Sequence, residues 1–529
     1  MLLLQGVAYT HPDKDLLFND INIAINRQDK IALIGNNGSG KSTLLKIMAG
    51  IILPSAGTIK RETQPYYVPQ HFGQYNDYTI ARALGVDDKL MALKEILAGN
   101  VTETNMVCLN DEWTIEERCS EALAYWELDG LNLSQKMSTL SGGQKTKVFL
   151  SGIMIHKPEL VLLDEPSNHL DNDSRVMLYN YIQTTTAVLV VVSHDITLLN
   201  LLNNIYEMSN RGITVYGGNY DFYTEQKAIE LNAFNEELKT REKALRKAKE
   251  TEREVLERQQ KLDARGKKKQ EKSGLPAIAM NTLRNKAERS TAHTKAVHAE
   301  KTSSLSNEIA HMRKELPIND KMKIGFDNPD LHKGKILIET KGINFSYDST
   351  PLWKEGLSFT ISSGERIAIK GPNGSGKTTL VKIILREISP DAGIIKGAGI
   401  NATYIDQDYS LVEHRLTVYE QAQKFNIGNM QEHELKSRLT HFLFTKSYWH
   451  KSCAMLSGGE KMRLMLCCLT IGNQARDMII LDEPTNNLDI QNIEILIKAI
   501  NGYDGTVIVI SHDEYFLEQV KVHRAIVLP

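Results

Sequence analysis

Two kinds of hydrophobic pattern alternate along this 529-residue chain. In the first, short and nearly continuous apolar runs end in glycine or polar residues, as in "VLVVV" at Val188–Val192. Such runs are typical of strands that are buried on both faces of a parallel sheet. In the second, from Glu225 to Leu316, apolar residues recur every three or four positions among Lys, Glu, Arg and Ala. The pattern predicts α/β structure at both ends of the chain and long helices in its middle.

The middle segment has a helical seam, a break and a less regular return. Its first part alternates by three and four, with seven of ten positions apolar: Leu231, Phe234, Leu238, Arg241, Leu245, Ala248, Glu252, Val255, Gln259 and Leu262. "KSGLPA" is a turn signal, and Pro317 ends the return. We predict an antiparallel helical hairpin over residues 225–316, with arms of about 40 residues or about 60 Å, and a connecting segment over residues 317–335.

The two ends of the chain carry the same motifs in the same order. The repeated pairs are "GNNGSGKST" and "GPNGSGKTT", "LSGGQ" and "LSGGE", "LDEPSNHLD" and "LDEPTNNLD", and "SHD" twice. We call residues 1–217 the first repeat and residues 336–529 the second repeat. The duplication predicts two domains of one kind, residues 1–224 and 336–529, on either side of the hairpin.

Each repeat begins with G-x-x-x-x-G-K-[ST] between an apolar run and a helical pattern. Glycines let backbone N–H groups surround phosphates at a helix N-terminus, the lysine reaches the β and γ phosphates, and the hydroxyl binds Mg²⁺. Two matches in this setting disfavour a chance glycine-rich turn. The predicted nucleotide-binding residues are Gly35, Asn36, Asn37, Gly38, Ser39, Gly40, Lys41, Ser42 and Thr43, and Gly371, Pro372, Asn373, Gly374, Ser375, Gly376, Lys377, Thr378 and Thr379.

A pair of acidic residues ends a second apolar run in each repeat. Asp164 and Asp482 are placed to hold Mg²⁺, directly or through water. Glu165 and Glu483 follow and are candidate general bases for an attacking water. Acidic residues often end strands only because they are solvated, and a lone histidine is usually structural. The repetition argues against both simpler readings, so we add as candidates for the γ phosphate His194 and His512.

Composition limits the class of protein. The chain is 41% hydrophobic and 24% charged, as in ordinary globular proteins, and no apolar run approaches the roughly 18 residues that span a bilayer. The five cysteines form no CxxC pair, which disfavours zinc and iron–sulfur sites. We therefore expect a cytoplasmic protein with at least two domains.

Positive charge collects in the hairpin although the whole chain has a net charge of -2. Residues 225–316 hold 22 Lys and Arg against 15 Asp and Glu, a net of +7, so the rest of the chain carries -9. A charged hairpin can simply be well solvated, but a polyanion partner explains why the excess lies near residues 264–281. The tip is apolar as well as basic and has no aromatic residue, which favours folded RNA over duplex DNA. The candidate RNA contacts are Arg265, Lys267, Lys268, Lys269, Lys272, Arg284, Lys286 and Arg289.

The motif order resembles that of ATP-binding cassette ATPases, and two fused cassettes without membrane segments resemble the ABC-F subfamily. The resemblance implies α/β cassettes that close head to tail around two ATP molecules, so that each signature motif completes the other repeat's site. It adds to the candidate residues the signatures and the glutamine loops, namely Ser141, Gly142, Gly143, Ser457, Gly458, Gly459, Gln70 and Gln407, the glutamines also near Mg²⁺. It implies that Tyr347 stacks on adenine in the second repeat. In the first repeat the stacking residue is either Tyr9 or His11.

The same resemblance implies a partner. ABC-F proteins are ribosome-associated ATPases whose hairpin contacts rRNA and the P-site tRNA, and in some members a longer tip relieves antibiotic inhibition. About 21 extra residues near 87–110 resemble the arm of this family or are a surface loop. Asn487 stands where the first repeat has His169, which leaves the equivalence of the two ATP sites open, although both glutamates predict hydrolysis at both. The alternatives are the ATP-binding subunit of a transporter, which needs a membrane partner, and an ATPase of DNA metabolism.

Overall fold

The structure is a computed structural model that describes residues 2–13, 15–209, 212–270, 277–315, 332–347, 350–397, 399–472 and 476–529. By their contacts the residues form two compact units. One unit contains Met1–Tyr223 and Lys321–Pro529, and therefore holds both repeats. The other is Thr224–Asp320, the helical middle of the chain. Residues 316–331, most of the predicted connecting segment, lie outside the described residues.

The first repeat alternates strands and helices, as its apolar runs predict. Its strands are β1 (Leu2–Thr10), β2 (Leu16–Ile25), β3 (Lys30–Gly35), β4 (Ala56–Arg61), β5 (Tyr66–Val68), β6 (Leu160–Asp164), β7 (Val188–Val192), β8 (Asn204–Ser209) and β9 (Gly212–Gly217). Its helices are α1 (Lys41–Ala49), α2 (Ile80–Leu84), α3 (Asp87–Leu97), α4 (Glu103–Leu109), α5 (Ile115–Tyr125), α6 (Gly142–His156), α7 (Asn172–Thr184) and α8 (Ile196–Leu199).

Two sheets organise this repeat. An antiparallel sheet has the order β2-β1-β4, and a mainly parallel sheet has the order β5-β6-β7-β3-β8-β9. Every residue of β6 and β7 is buried, because helices and the antiparallel sheet cover the faces of the parallel sheet. Since β6, β7 and β3 are neighbours and run the same way, their carboxyl ends meet at one edge. The phosphate loop, the acidic pair and the SHD motif follow those three strands.

The middle unit is an antiparallel pair of helices, α9 (Tyr220–Gln270) and α10 (Ala277–Glu315). Arg241 pairs with Glu308 at 2.5 Å, and Arg313 pairs with Glu242 at 2.7 Å. Residues well before the end of α9 thus meet residues a similar distance after the start of α10, which makes the two helices antiparallel. The predicted hairpin is thus present. Its first arm is longer than the expected 40 residues: it has 51 residues, about 76 Å, because the helix begins at Tyr220 and continues past Gly266. The strong helix formers around Gly266 outweigh its cost of about 1 kcal/mol.

The second repeat has the same architecture. Its strands are β10 (Ile336–Asn344), β11 (Ser346–Tyr347), β12 (Thr350–Pro351), β13 (Leu357–Ser362), β14 (Arg366–Lys370), β15 (Ala392–Gly397), β16 (Ala402–Ile405), β17 (Met478–Asp482), β18 (Thr506–Ile510) and β19 (Arg524–Val527). Its helices are α11 (Lys377–Ile384), α12 (Val418–Lys424), α13 (Glu432–His441), α14 (Gly458–Ile471), α15 (Ile490–Asn501) and α16 (Glu514–Gln519).

The order of the parallel strands repeats as well. β16-β17-β18-β14-β19 is the counterpart of β5-β6-β7-β3-β8, with every pair parallel, and β13-β10-β15 is the counterpart of the antiparallel sheet. The chain is therefore a tandem of α/β cassettes with a long helical hairpin between them, which confirms the predicted fold class. The extra residues of the first repeat near 87–110 form α3 and α4, whose outer face exposes Met91, Leu97 and Val107.

Candidate nucleotide-binding sites

The phosphate loop of the first repeat joins β3 to α1. Gly40 has a φ of 99°, and a Cβ there would lie 2.8 Å from the ring of Phe18, so glycine is required on two counts. Lys41 is 7% exposed, and its Nζ donates to the carbonyls of Gly35 at 2.7 Å and Asn36 at 3.2 Å. Burial lowers the pKa of Lys41, while Glu165 and other nearby carboxylates act in the opposite direction. The loop thus holds a buried ammonium group at its centre.

Asp164 ends β6 beside this loop. Its two carboxylate oxygens accept hydrogen bonds from Ser42 Oγ at 2.9 Å and from the Tyr67 hydroxyl at 3.0 Å. Burial raises the pKa of Asp164, although both hydrogen bonds favour the carboxylate. A hydroxyl and a carboxylate in contact are the hard oxygen ligands that Mg²⁺ takes beside phosphates.

Glu165 follows directly and faces the end of β7. Its φ of 51° is left-handed, which turns its side chain away from Asp164 and toward His194. Glu165 Oε1 lies 3.3 Å from His194 Nε2. Burial raises the pKa of Glu165 to about 8 and holds that of His194 well below its usual range. A carboxyl group with a pKa near neutrality is suited to take a proton from water.

A cavity of about 480 Å³ joins these side chains. It is lined by Lys41, Ser42, Glu165, His194 and Gln70. Asn487 of the second repeat forms part of its wall. The further lining residues are His11, Leu17, Asn37, Gly38, Gly40, Thr43, His71 and Val192. Of the two aromatic candidates in this repeat, His11 lines the cavity. Tyr9 contacts His11 edge-on at 5.6 Å and packs into the core instead.

The second repeat builds its site in the same way. Lys377 Nζ donates to the carbonyls of Gly371 at 2.7 Å and Pro372 at 3.1 Å, and the Tyr404 hydroxyl donates to Asp482 at 2.6 Å. Glu483, with a φ of 46°, has its Oε1 3.6 Å from His512 Nε2. Burial raises the pKa of Glu483 to about 7 and lowers that of His512 to about 4. His512 also lies 3.3 Å from Lys377 Nζ, a contact with no counterpart among the described contacts of His194.

The remaining predicted residues of this site keep the chain order of the first repeat. Thr378 follows Lys377 at the start of α11, as Ser42 follows Lys41, and Gln407 follows β16 by two residues. Tyr347 is 55% exposed, stands edge-on to Phe345 and contacts Thr379 Oγ1 through its hydroxyl at 3.0 Å.

Each phosphate loop also touches the other repeat. Asn37 donates through its backbone N–H to Asp489 at 3.0 Å and through its side chain to the Asn487 carbonyl at 3.1 Å. In the second site the Asn373 side chain donates to the His169 carbonyl at 3.4 Å. His169 and Asn487 therefore hold matching places through their backbones, although their side chains differ.

The signature motifs begin helices that face these contacts. Ser141 caps α6 and Ser457 caps α14, each in a capping box with the residue three positions later. A Cβ on Gly143 would lie 2.7 Å from the His169 carbonyl, so glycine is required for α6 to pack this closely against His169, whose carbonyl in turn contacts Asn373 of the second phosphate loop. On the other side, a Cβ on Gly458 would lie 3.4 Å from the Asn487 carbonyl. Among the described residues that line the first cavity, Asn487 comes from the second repeat, and Gly458 of the signature lies against its carbonyl.

The two sites fit a nucleotide phosphate with its metal ion. Ser39 Oγ and Ser375 Oγ, one in each phosphate loop, are buried without a hydrogen-bond partner in the part of the chain that the structure describes. Burying a hydroxyl without a partner is costly, and a phosphate oxygen at the loop supplies an acceptor. The buried Lys41, the raised pKa of Asp164 and the paired oxygens of Ser42 and Asp164 are consistent with the same ligand.

Several residues at these sites were not among those predicted from the sequence. Tyr67 and Tyr404 hold the acidic pairs in place, and both stand three residues before the glutamine of their repeat, so the duplication was a signal for them. Asp489 closes the repeated "TNNLD" motif, but no sequence signal linked it to its partner Asn37, which lies 452 positions away.

The candidate RNA contacts are described only in part. Arg265 is an exposed residue of α9. The other candidates, Lys267, Lys268, Lys269, Lys272, Arg284, Lys286 and Arg289, have side chains that lie outside the described residues. Elsewhere in the described chain, no helix has both the length and the apolar character needed to cross a membrane.

Comparison with known proteins agrees with this geometry. The family described as ABC transporter matches residues 18–168 and 354–486, one stretch in each repeat. The chain is 30% identical to the energy-dependent translational throttle protein EttA of Mycobacterium tuberculosis, over 98% of this chain and 90% of that protein. It is 29% identical to ABC transporter F family member 5 of Arabidopsis thaliana, over 96% of this chain and 72% of that protein.

Among solved structures, the fold is similar to that of the archaeal ribosome recycling factor aABCE1 in complex with the ribosomal stalk protein aP1. The TM-score is 0.60 at 18% identity, and the match covers 99% of this chain and 87% of that one. Both repeats, the order of their motifs and full-length relatives thus lead to one conclusion. The chain is an ATP-hydrolysing member of the ABC transporter family and belongs to its ABC-F branch.

Proposed function

We propose that this ATPase binds the ribosome while ATP holds its repeats together, and that the basic hairpin contacts rRNA and the P-site tRNA. The observation that carries the proposal is the net charge of +7 over residues 225–316 in a chain that is otherwise negative. A cationic surface of this kind gains affinity for RNA by releasing counterions. The resemblance to a translational throttle protein over 98% of this chain supports the same partner.

ATP binding would draw on residues of both repeats. The phosphate loops with Lys41 and Lys377 would hold the β and γ phosphates, while His11 and Tyr347 would face adenine. Mg²⁺, when bound, would neutralise phosphate charge in the transition state. The oxygens that would hold it are those of Ser42, Asp164 and Gln70 in one site and of Thr378, Asp482 and Gln407 in the other.

The hydrolytic step would rest on the residue after each metal-binding aspartate. Glu165 and Glu483 would accept a proton from the attacking water, and their pKa values of about 8 and about 7 match that task near neutral pH. His194 and His512 would be neutral, because burial lowers their pKa. They would contact the γ phosphate next to the attacking water. Ser141 and Ser457, each opening a helix with two glycines, would place further N–H groups near the phosphates.

The hairpin supplies a stiff support for the basic residues. The pairing of Arg241 with Glu308 and of Glu242 with Arg313 joins its two helices, and the first helix is about 76 Å long. Such a support can place Lys267, Lys268 and Lys269 on an RNA surface well beyond its own base. Protection against ribosome-targeting antibiotics is the finer form of this proposal, and growth of a sensitive strain that expresses the chain tests it with each drug.

The experiment is ribosome co-sedimentation of a Glu165→Gln, Glu483→Gln double variant with and without ATP. The variant should bind ATP but not hydrolyse it, and should pellet with ribosomes only when ATP is present. Replacing Lys267, Lys268 and Lys269 with glutamine should then reduce pelleting about tenfold.

The matched control replaces three exposed cations of the hairpin stem, Lys239, Arg246 and Arg253, with glutamine. It removes the same charge and should reduce pelleting much less. If the trapped protein stays in the supernatant with ATP bound, the ribosome proposal is wrong. Ribosome-independent retention on branched DNA, or recovery with a membrane protein, would then support the DNA or transporter alternative.

A further inference from the structure

The two ATP sites differ in how the opposite repeat holds their histidines. His512 Nδ1 lies 3.2 Å from Asn172 Oδ1, and its carbonyl accepts a hydrogen bond from Arg175 Nη1 at 3.3 Å. Both Asn172 and Arg175 belong to α7 of the first repeat. His194 has no such support: its Nδ1 is buried and has no hydrogen-bond partner in the described part of the chain.

The sequence of the second repeat explains the difference. Asp171 and Asp489 cap α7 and α15 at matching positions. Counting from them, Asn172 corresponds to Ile490, and Arg175 corresponds to Ile493. Isoleucine can neither accept a hydrogen bond from a histidine ring nor donate one to a carbonyl. The second repeat therefore cannot hold His194 as the first repeat holds His512.

Arg175 also lies among carboxylates of both repeats. It is 7% exposed, its Nη1 is 3.7 Å from Asp195 Oδ2, and Asp513 interacts electrostatically with both Arg175 and Asp195. Asp195 and Asp513 are the last residues of the two SHD motifs. A buried cation between two like charges offsets a repulsion that would otherwise push the two motifs apart.

Tyr179 secures one end of this arrangement. Its hydroxyl donates to Asp195 Oδ2 at 2.6 Å, and Arg175 Nε donates to the Leu170 carbonyl at 3.3 Å within its own repeat. With these contacts the guanidinium group has a defined position before it meets the second repeat. The position that corresponds to Tyr179 is Ile497, so this support is one-sided as well.

We propose that Asn172 and Arg175 are positioning residues for the second ATP site, so that the Lys377, Glu483 and His512 site turns over only when the first repeat holds His512. The Lys41, Glu165 and His194 site has no equivalent support and works independently of it. The two ATP sites are thus unequal, and the first repeat controls the second. This inference rests on the proposed roles of the two glutamates and of His512.

The test measures each site separately in the full chain without ribosomes. Glu165→Gln leaves the second site to hydrolyse ATP, and Glu483→Gln leaves the first. Asn172→Ile and Arg175→Ile are each introduced into both backgrounds. Isoleucine is chosen because the second repeat has it at both corresponding positions, Ile490 and Ile493. In the Glu165→Gln background each should lower kcat about tenfold with KM changed less than about threefold, because a hydrogen bond that orients a reacting group is lost. In the Glu483→Gln background Asn172→Ile should change kcat by less than about twofold. Arg175→Ile, which also removes the contact with Asp195 beside His194, should lower kcat there less than it does in the Glu165→Gln background.

A conservative variant separates positioning from folding. Arg175→Lys keeps the positive charge but not the fork that contacts Leu170 and His512 together, so it should recover more of kcat at the second site than Arg175→Ile does, without restoring it fully. Equal losses in both backgrounds, or an unchanged second site, would overturn the inference, and Asn172→Ile supplies an independent reading if Arg175→Ile fails to fold. If Glu165→Gln and Glu483→Gln do not each leave one working site, the assignment of the glutamates fails instead.

Discussion

Asp489 of the second repeat accepts, through Oδ2 at 3.0 Å, a hydrogen bond from the backbone N–H of Asn37 in the phosphate loop of the first repeat. Its other oxygen, Oδ1, accepts from the Asn492 N–H at 2.9 Å and caps α15. One carboxylate therefore serves two separate purposes. It stabilises its own helix, and it joins the loop that surrounds the phosphates of the opposite site.

Asp489→Asn should separate the two purposes. Asparagine caps helices as well as aspartate, but an amide nitrogen would face the Asn37 N–H. We expect turnover of the first site, measured in a Glu483→Gln background, to fall about three- to tenfold, with the melting temperature unchanged. Asp489→Ala should lower both turnover and the melting temperature. A loss of stability in Asp489→Asn equal to that in Asp489→Ala would contradict this division.

Each glutamate should account for hydrolysis at its own site. Glu165→Gln and Glu483→Gln should each remove part of the steady-state phosphate release, and the double variant should lose more than about a hundredfold, because no side chain remains to accept the proton. Fluorescent nucleotide titration should show that ATP binding is retained. Full activity in either single variant would mean that the other site alone carries turnover.

Tyr67 should affect the metal requirement of the first site. Tyr67→Phe removes the hydrogen bond to Asp164 but leaves the ring, so the half-saturating Mg²⁺ concentration should rise about tenfold. Tyr66→Phe is the matched control, because that neighbouring hydroxyl donates to the Phe149 carbonyl and not to the acidic pair. Both are compared in the Glu483→Gln background. If both variants raised the half-saturating Mg²⁺ concentration equally, the effect would come from a disturbed strand and not from the lost Tyr67 hydroxyl.

The buried glutamates should make stability depend on pH. Burial raises the pKa of Glu165 to about 8 and the pKa of Glu483 to about 7, from an ordinary value of 4.5. At a pH above 4.5 and below these raised values, the folded chain therefore binds more protons than the unfolded chain. Their contribution to the free energy of unfolding is therefore largest below pH 4.5 and is lost as the pH rises to 8.

The Glu165→Gln, Glu483→Gln double variant has no buried carboxyl groups at these positions, so it does not lose this part of the free energy of unfolding as the pH rises. Its melting temperature without nucleotide should exceed that of the wild type by about 2 °C or more at pH 8.5, and the gain should shrink at pH 5. Glu159→Gln, the same change at an exposed position outside the two sites, is the control for a general effect of the substitution on the melting temperature. A difference that is constant with pH for the double variant would contradict the raised pKa values.

The hairpin should depend on its apolar contacts more than on its ion pairs. Ile309 is 4% exposed, and Ile309→Ala should destabilise the helix pair by about 2–4 kcal/mol. Arg241 and its partner Glu308 are 43% and 45% exposed, so Arg241→Ala should cost less than about 1 kcal/mol. Hydrogen exchange of amides in α9 and α10 measures both. Faster exchange in Arg241→Ala than in Ile309→Ala would reverse this ranking.

The sequence by itself was enough for the repeats, the phosphate loops, the acidic pairs and the helical hairpin. Each depends on residues close together in the chain, whose spacing reports strand, loop or helix directly. The duplication supplied a second, independent copy of each local signal, as for the glycines around Lys41 and Lys377. The structure makes α9 longer than the predicted arm, because the helix begins at Tyr220, before the predicted start at Glu225, and continues to Gln270 through strong helix formers.

Only the tertiary structure decided which residues of one repeat serve the site of the other. Asn37 and Asp489, or Arg175 and His512, lie hundreds of positions apart, and no local pattern links them. It also decided that His11, and not Tyr9, faces the first cavity. The pairing of β1 with β2 shifts register between Val7 and Tyr9, so counting alternate residues along the strand cannot tell which side chain points inward.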